Sequence, residues 1–321
     1  MSNTSEISAV NSAENGTASA SVAFIGLGNM GRRMAARLVA AGYKVAVFDT
    51  NPAAVQSLEE AGARAAGSPA DAVSDADFIL SSLPNPAIVE AVYLGPDGVL
   101  KGAKPGAVAA DLSTIDPATA VSVRDALAQG NIGFLDAPVS RGVQGAENGT
   151  LAIMAGGSTT DFSRILPILQ HLGSSITHVG ESGTGQLVKL CNNMISAINT
   201  VAAAEVMVVG RRAGLDTKTM YDVLTSGSAE SHILSSYFPR VVFSEERPTG
   251  FSLDFMVKDL DLFLSAANKT EVPMFLSGAV RQVFRMAQGQ GLGNRDSCHV
   301  VEVYEQTAGV RLKFEETSAT H

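Results

Sequence analysis

Short apolar runs alternate with segments of helical period from residue 21 onward. This alternation is typical of a mostly parallel sheet covered by helices, so an α/β domain is predicted. Ser68-Pro69 and Asp116-Pro117 each place a capping side chain before a proline suited to a first helical position, and Gly42 suits the end of a helix over 30–41. The predicted strands are 22–25, 45–48, 78–82, 107–111, 134–137, 151–155 and 176–179.

After Gly183 the short apolar runs typical of strands disappear, and only segments of helical period remain. A long helix rich in Ala, Val and Met is predicted over 186–210, and the remainder reads as helical. A helix that is apolar nearly all round is buried, so this one is expected between domains or subunits. We therefore predict a disordered polar tail over 1–20, an α/β domain over 21–183 and an all-helical domain over 184–321. Breaks in the helical part are expected near Gly214, Gly227, 248–250, Pro273 and 291–293.

Composition narrows the function classes. The chain has 321 residues and a formal net charge of -9 without a basic cluster, which argues against nucleic acid or an anionic membrane surface as partner. Two cysteines far apart suit a reducing cytoplasm, and the five histidines lack metal-ligand spacing, so no metal site is predicted. The longest apolar stretch, 190–204, contains three asparagines and falls short of the roughly 18 apolar residues of a membrane span, so none is expected.

A GxGxxG motif follows the first predicted strand and opens a helix. In a dinucleotide-binding turn, Gly26 would permit the tight bend, Gly28 would admit the pyrophosphate, and Gly31 would let the helix pack against the strand. The strand before, the helix after and a second strand supply the context that a lone motif lacks. The candidate residues of the turn are Gly26, Leu27, Gly28, Asn29, Met30 and Gly31.

Asp49 ends the second predicted strand, 21 residues beyond Gly28. A carboxylate at this place accepts hydrogen bonds from a ribose hydroxyl and repels a 2′-phosphate, which favours NAD over NADP. The following Thr50 and Asn51 offer no positive charge for an additional phosphate. The alternative is that Asp49 only caps the helix that begins at Pro52.

Four motifs resemble, in order and spacing, those of the β-hydroxyacid dehydrogenases: GLGNMG at 26–31, DAPVSRG at 136–142, GQLVKLCNN at 185–193 and KDLDL at 258–262. The family includes 3-hydroxyisobutyrate dehydrogenase, tartronate semialdehyde reductase and 2-(hydroxymethyl)glutarate dehydrogenase. The resemblance implies a Rossmann-type domain, a helical domain joined by a long helix, NAD or NADP as cofactor, a small anionic substrate and a homodimer or homotetramer.

Lys189 is the candidate general acid/base. It lies four residues before Asn193, so both side chains share one face of a helix, and Asn193 would orient the substrate. Partial burial among Leu187, Val188 and Leu190 is expected to lower the pKa of Lys189, because desolvation disfavours the ammonium form. The alternative is a lysine that extends to solvent. A noncatalytic dinucleotide sensor would need no such lysine, and this discriminates against that rival function.

The resemblance also assigns a substrate loop, in which Ser140 and the backbone near Gly142 would hold the substrate carboxylate. Where the family usually has glycine, this chain has Arg141, which is able to grip a second anion as in sulfolactaldehyde reductases or to point away from the pocket. Asn192 stands where decarboxylating 6-phosphogluconate dehydrogenases have histidine, which disfavours decarboxylation. Further residues assigned by motif are Leu83, Pro84 and Thr114 beside the cofactor and Lys258 reaching it, with His232 a weaker pocket candidate.

Overall fold

Nine strands form one sheet in the part of the chain that precedes the long helix. The structure, a computed structural model, describes residues 20–314, so all but the last residue of the predicted tail over 1–20 lies outside it. The strands are β1 Ser21–Ile25, β2 Lys44–Phe48, β3 Arg64–Ala65, β4 Phe78–Ser81, β5 Val108–Asp111, β6 Gly133–Asp136, β7 Val139–Ser140, β8 Leu151–Gly157 and β9 Gly173–Gly180. All seven predicted strands are confirmed, whereas β3 and β7 were not predicted.

The strand order is β3-β2-β1-β4-β5-β6-β8-β7, with β9 paired to β8. The strands from β3 to β6 are parallel to one another, while β8 runs antiparallel to both β6 and β7. The chain builds outward from β1 in one direction and then returns to add β4 on the other side. Open α/β sheets bind ligands at the carboxyl ends of the strands beside such a reversal.

Helices cover both faces of this sheet. Side chains of β1 alternate between two cores, with Val22 and Phe24 in one and Ala23 and Ile25 in the other. Ser68 and Asp116 cap the helices that follow them, as predicted. The helices are Gly31–Ala40, Pro52–Glu59, Pro69–Val73, Pro86–Leu94, Val99–Gly102, Pro117–Gln129, Gly142–Asn148 and Thr159–Leu169.

The chain divides into two compact units between Lys189 and Leu190. This division lies inside the long helix Thr184–Arg212, rather than before it as the predicted boundary at 183/184 has it. The described part of the second unit is helical, and its helices end near the predicted breaks. They are Thr217–Ser226, the π-helix Ile233–Val242, Leu253–Ala267, the 3₁₀ turns Asn268–Thr270 and Ser297–Val300, Phe275–Gly289 and Val301–Ala308.

The long helix, Thr184–Arg212, is longer than the helix predicted over 186–210. At 29 residues and with a mean hydropathy of 1.4 over its most apolar window, it is long and apolar enough to cross a membrane, contrary to the expectation from 190–204. Half of that window, 50%, is buried inside the structure. The core helix of a soluble protein meets the same criteria of length and composition.

Candidate active site

The glycine-rich loop after β1 leaves open space where a phosphate group would bind. Gly26 has a φ of +89°, and a Cβ there would collide with the carbonyl oxygen of Ser82. A Cβ on Gly31 would collide with the carbonyl oxygen of Gly26, whereas one on Gly28 would meet no atom within 4 Å. The packing of the protein thus requires the first and third glycines, while the second borders a free cradle at a helix N-terminus. This cradle fits a dinucleotide pyrophosphate.

Asp49 secures this loop from the end of β2. Its Oδ2 accepts a hydrogen bond from the backbone N–H of Leu27 at 2.5 Å, and its Oδ1 accepts one from the N–H of Asn51 at 2.7 Å. The helix Pro52–Glu59 is capped by Asn51, so the alternative role of Asp49 as that cap is wrong. Each carboxylate oxygen retains lone-pair capacity for a sugar hydroxyl. Of the other candidates in the loop, Leu27 is buried, Asn29 exposed and Met30 half-buried.

The strands at the centre of the sheet end in register and bring polar groups into one row. Ile25 pairs with Ser81, Ser81 with Asp111, and Asp111 with Asp136. The three polar residues of this row are fully buried. The row therefore lies at the carboxyl edge, where the glycine-rich loop also begins.

Asp111 and Ser113 join the segments predicted to border the cofactor. Asp111 Oδ1 accepts hydrogen bonds from the hydroxyls of Ser81 at 2.7 Å and Ser113 at 2.5 Å. The Ser113 hydroxyl accepts in turn from the backbone N–H of Leu83 at 2.7 Å. One serine thus links Leu83, which precedes the exposed Pro84, to the loop that carries the half-buried Thr114.

Asp136 holds the first turn of the long helix. Its Oδ1 accepts from the N–H of Gly183 at 2.6 Å, and its Oδ2 from the N–H of Gln186 at 2.9 Å. Burial raises the pKa of the Asp136 carboxyl to about 6, although both backbone hydrogen bonds favour its charged form. Added Cβ atoms at Gly156 and Gly185 would crowd this carboxylate, so close backbone packing keeps it in place.

Lys189 lies in the second turn of the long helix and is 8% exposed. Of the three apolar neighbours expected to surround it, Leu190 is buried, but Leu187 is 45% and Val188 42% exposed. The expected burial is therefore present, but two of its expected sources are wrong, because successive residues point in different directions around a helix. Asn193 lies one turn further along this helix and is 5% exposed.

In the second unit, Asn193 belongs to a side-chain cluster with Asn192, Lys258 and Asp259. Asn193 Nδ2 donates to Asp259 Oδ2 at 2.6 Å, and its Oδ1 accepts from Asn192 Nδ2 at 3.1 Å. Lys258 Nζ lies 2.8 Å from Asp259 Oδ1. Asp259 is 1% exposed, so this carboxylate fixes a predicted catalytic amide and a predicted cofactor lysine together.

The proposed substrate loop has an unusual backbone at Arg141. Its φ of +81° is followed by +60° at Gly142, and a side chain rarely adopts the first of these values. Arg141 Nη1 donates to the carbonyl oxygen of Thr150 at 2.9 Å and to the hydroxyl of Ser174 at 3.2 Å. These contacts place the guanidinium against the beginning of strands β8 and β9. Ser140 pairs with Ala152 in β7 and β8, directly before this bend.

The remaining candidate signals are weaker. His232 contacts Tyr237 edge-on, with ring centroids 5.6 Å apart, beside the π-helix. Within residues 20–314, no group of three or more His, Cys, Asp or Glu side chains is placed to hold a metal ion.

Several buried polar residues were missed as site candidates. Asp111 and Asp136 end apolar strands, where a carboxylate was a usable signal because it must find partners once buried. The sequence indicates that Asp259 either pairs with its neighbour Lys258 or faces the pocket, and the structure shows the pair with Lys258. Gln186 stands in the sequence only as part of the GQLVKLCNN motif. Asn193, which donates to Asp259, and Ser113 and Ile115, which bond Gln186, lie far away in sequence, and spacing alone does not reveal these contacts.

Comparisons with known proteins cover both units. Residues 21–180 match the family described as the NAD-binding domain of 6-phosphogluconate dehydrogenase. Residues 183–304 match the family described as "NAD-binding of NADP-dependent 3-hydroxyisobutyrate dehydrogenase". The two matches together span most of the described chain.

Individual relatives agree with these families. The chain is 37% identical to 2-(hydroxymethyl)glutarate dehydrogenase of Eubacterium barkeri, covering 91% of this chain and 97% of the relative. It is 36% identical to the NAD-dependent L-serine dehydrogenase of Pseudomonas aeruginosa, covering 90% and 99%. A solved structure of Mycobacterium tuberculosis 3-hydroxyisobutyrate dehydrogenase with L-serine has a TM-score of 0.83 at 33% identity, covering 89% of this chain and 99% of that one.

Proposed function

Because this chain belongs to the β-hydroxyacid dehydrogenase family and is an NAD(P)-dependent oxidoreductase, we propose that it interconverts a small β-hydroxyacid and its semialdehyde or keto acid. The observation that carries the proposal is the buried Lys189, on a helix whose first turn is bonded to the edge of the sheet that also carries the glycine-rich loop. A dinucleotide sensor would need no buried lysine at this place.

The cofactor would be held mainly by the first unit. The cradle at Gly28 would take the pyrophosphate, Asp49 the adenosine ribose, and the segments at Leu83-Pro84 and Thr114 would border the nicotinamide, with Lys258 as a further contact. When bound, the nicotinamide accepts a hydride from the substrate carbon or returns it. We propose NAD as the preferred form, because the Asp49 carboxylate repels a 2′-phosphate and its neighbours supply no compensating charge.

Lys189 would manage the proton. In the oxidation direction the neutral Nζ of Lys189 takes the proton of the substrate hydroxyl while the carbon loses a hydride, which leaves a carbonyl and an ammonium. In reduction the same ammonium returns the proton. Asn193 would orient the reacting oxygen, since Asp259 and Asn192 already fix its amide.

The test is Lys189→Ala beside Lys218→Ala, an exposed lysine paired with Asp222. We expect Lys189→Ala to lower kcat by roughly 10²- to 10⁴-fold, the usual range for general acid–base catalysis, with NADH binding unchanged in a fluorescence titration. Lys218→Ala should retain full activity. Undiminished turnover in Lys189→Ala would contradict the proposal.

The substrate would be a small carboxylic acid, held by Ser140 and the backbone near Gly142. A panel of L-serine, 3-hydroxyisobutyrate, glycerate, 2-(hydroxymethyl)glutarate, tartronate semialdehyde and sulfolactaldehyde, each with both cofactors, tests this choice. The hydrogen bonds of Arg141 to Thr150 and Ser174 favour a singly charged substrate over a sulfonate or second carboxylate. A much higher specificity constant for a dianion, lost in Arg141→Ala, would reverse that preference.

A homodimer or homotetramer, on the family resemblance, and a cytoplasmic location, on the two widely separated cysteines, complete the proposal. Light scattering coupled to size-exclusion chromatography tests the assembly.

A further inference from the structure

The side chain of Gln186 connects the long helix to the loop that follows β5. It is fully buried, and both ends of its amide are used. Oε1 accepts from the backbone N–H of Ile115 at 3.0 Å, and Nε2 donates to the carbonyl oxygen of Ser113 at 2.9 Å. Gln186 therefore grips the backbone on either side of Thr114.

The gripped loop is itself tied to its neighbours. The Ser113 hydroxyl bonds both Asp111 and the backbone N–H of Leu83, so the loops after β4 and β5 form one hydrogen-bonded assembly. Every member of this chain of contacts lies in the first unit. A displacement of Gln186 would consequently shift the same loops that the proposed function assigns to the nicotinamide.

Asp136 and Gln186 constrain the helix in different ways. Asp136 bonds backbone N–H groups at the helix start and so fixes where the helix begins. The Gln186 amide extends sideways to Ser113 and Ile115 and so resists rotation about the helix axis. Lys189 follows Gln186 by three residues, less than one turn of 3.6 residues, so little flexibility separates the two.

We propose that Gln186 is a positioning residue for catalysis, which sets the orientation of Lys189 relative to the loop Ser113–Ile115. The inference rests on the proposed function, because it requires Lys189 to be the proton carrier. Proton transfer is sensitive to such orientation, and a misplacement of about 1 Å is able to cost about 10²-fold in rate. Substrate and cofactor binding depend mainly on other contacts.

The variant Gln186→Met tests the inference, because it keeps the length of the side chain and removes both hydrogen bonds. We expect kcat to fall about 10- to 100-fold, with KM and the NADH dissociation constant within about twofold of the parent values. The deuterium isotope effect on kcat should rise as the chemical step becomes limiting. In the cofactor-free protein, the Ile115 amide should exchange hydrogen faster, because it loses its acceptor.

Thr200→Val is the matched control on the same helix. Thr200 is 3% exposed and donates to the carbonyl oxygen of Ser196 at 2.8 Å, so the variant also loses one buried hydrogen bond. It should leave kcat and its isotope effect unchanged. If Gln186→Met does not fold, Gln186→Glu replaces it under the same criteria, since a carboxylate still accepts from Ile115 but repels the Ser113 carbonyl.

Lys189→Ala, measured in parallel, separates the two hypotheses. Retained turnover in Lys189→Ala would contradict the proposed function and with it this inference. If Lys189→Ala is inactive but Gln186→Met has the parent kcat and isotope effect, the inference alone is wrong and Gln186 serves stability only. A lowered kcat at unchanged KM in Gln186→Met, with a normal Thr200→Val, supports it.

Discussion

The two units hold their proposed functional residues in different ways. In the first unit, backbone atoms make the contacts that hold the glycine-rich loop and the start of the long helix. Glycines avoid collisions there, and N–H groups donate to Asp49 and Asp136. In the second unit, the side chains of Asn193, Lys258 and Asp259 hold one another. The first arrangement depends on backbone packing and backbone hydrogen bonds, and the second on contacts between side chains.

This difference predicts different responses to substitution. A collision with backbone cannot be relieved by a rotamer change, so substitutions in the first arrangement should greatly reduce both stability and cofactor binding. A side-chain cluster loses one interaction at a time, so errors in the second should be graded and partly rescued by conservative residues.

The largest effect is expected for Gly31→Ala. The new Cβ would collide with the carbonyl oxygen of Gly26 and lie near the ring of Phe24, so the first helix must shift. We expect a loss of at least about 3 kcal/mol, the upper range for overpacking, shared between the free energy of unfolding and NADH binding. Thermal unfolding and a fluorescence titration measure the two parts.

Gly278→Ala is the control for this comparison. Gly278 lies inside the helix Phe275–Gly289, and an added Cβ there would meet no atom within 4 Å. Helix propensity should stabilise this variant by up to about 1 kcal/mol. Equal effects at the two glycines would remove the distinction between the units.

A smaller, pH-dependent effect is expected for Asp136→Asn. The folded pKa of Asp136 is raised from 3.8 to about 6, so between these pH values the folded state binds more protons than the unfolded state. The free energy of unfolding of the parent should therefore fall relative to that of the variant as pH rises, by up to about 3 kcal/mol.

Denaturant unfolding of both proteins from pH 4 to pH 7 measures this difference. The contribution of Asp136 should be most favourable near pH 4 and lost above pH 6. A difference between the two proteins that does not change with pH would show that Asp136 ionises at its ordinary value.

The smallest effect is expected at Asp259. Asp259→Ala releases Asn193 and Lys258 together, and we expect kcat to fall about tenfold through misorientation of the reacting groups. Asp259→Asn should recover part of this loss, because its carbonyl oxygen still accepts from Asn193. Steady-state kinetics of both variants measure the recovery.

Asp261→Ala provides the control on the same helix. Asp261 pairs with Arg281 and Arg285 at the surface, so its loss should leave kcat unchanged. If Asp259→Asn were as impaired as Asp259→Ala, the ion pair with Lys258, rather than the hydrogen bond to Asn193, would carry the effect.

Much of the fold follows from local sequence pattern. The strands buried on both faces read as apolar runs, and proline after a capping residue marked the helices at Pro69 and Pro117. The two-residue strands β3 and β7 are too short to carry a periodic pattern. The π-helix Ile233–Val242 contains Pro239, which in sequence indicates a break rather than a helix.

The sequence predicted individual residues of the candidate site but not the contacts between them. The glycine positions and Lys189 have local signatures, because their roles depend on the residues next to them. The side chains of Gln186 and Asp259 act on partners 71 and 66 residues away, and only the folded chain brings them together. The direction of Arg141 likewise depends on Thr150 and Ser174, which local spacing does not indicate.

The in-register row of Ile25, Ser81, Asp111 and Asp136 links correct folding to the formation of a working site. A strand that slipped by one residue would turn every side chain to the opposite face. Asp111 would then lose its partner Ser81 on the neighbouring strand and turn toward an apolar core, at the cost of burying a charge with fewer partners. A shifted register is therefore less stable than the native one because of the same carboxylates that organise the loops. Correct strand pairing and a correctly formed site thus depend on the same residues.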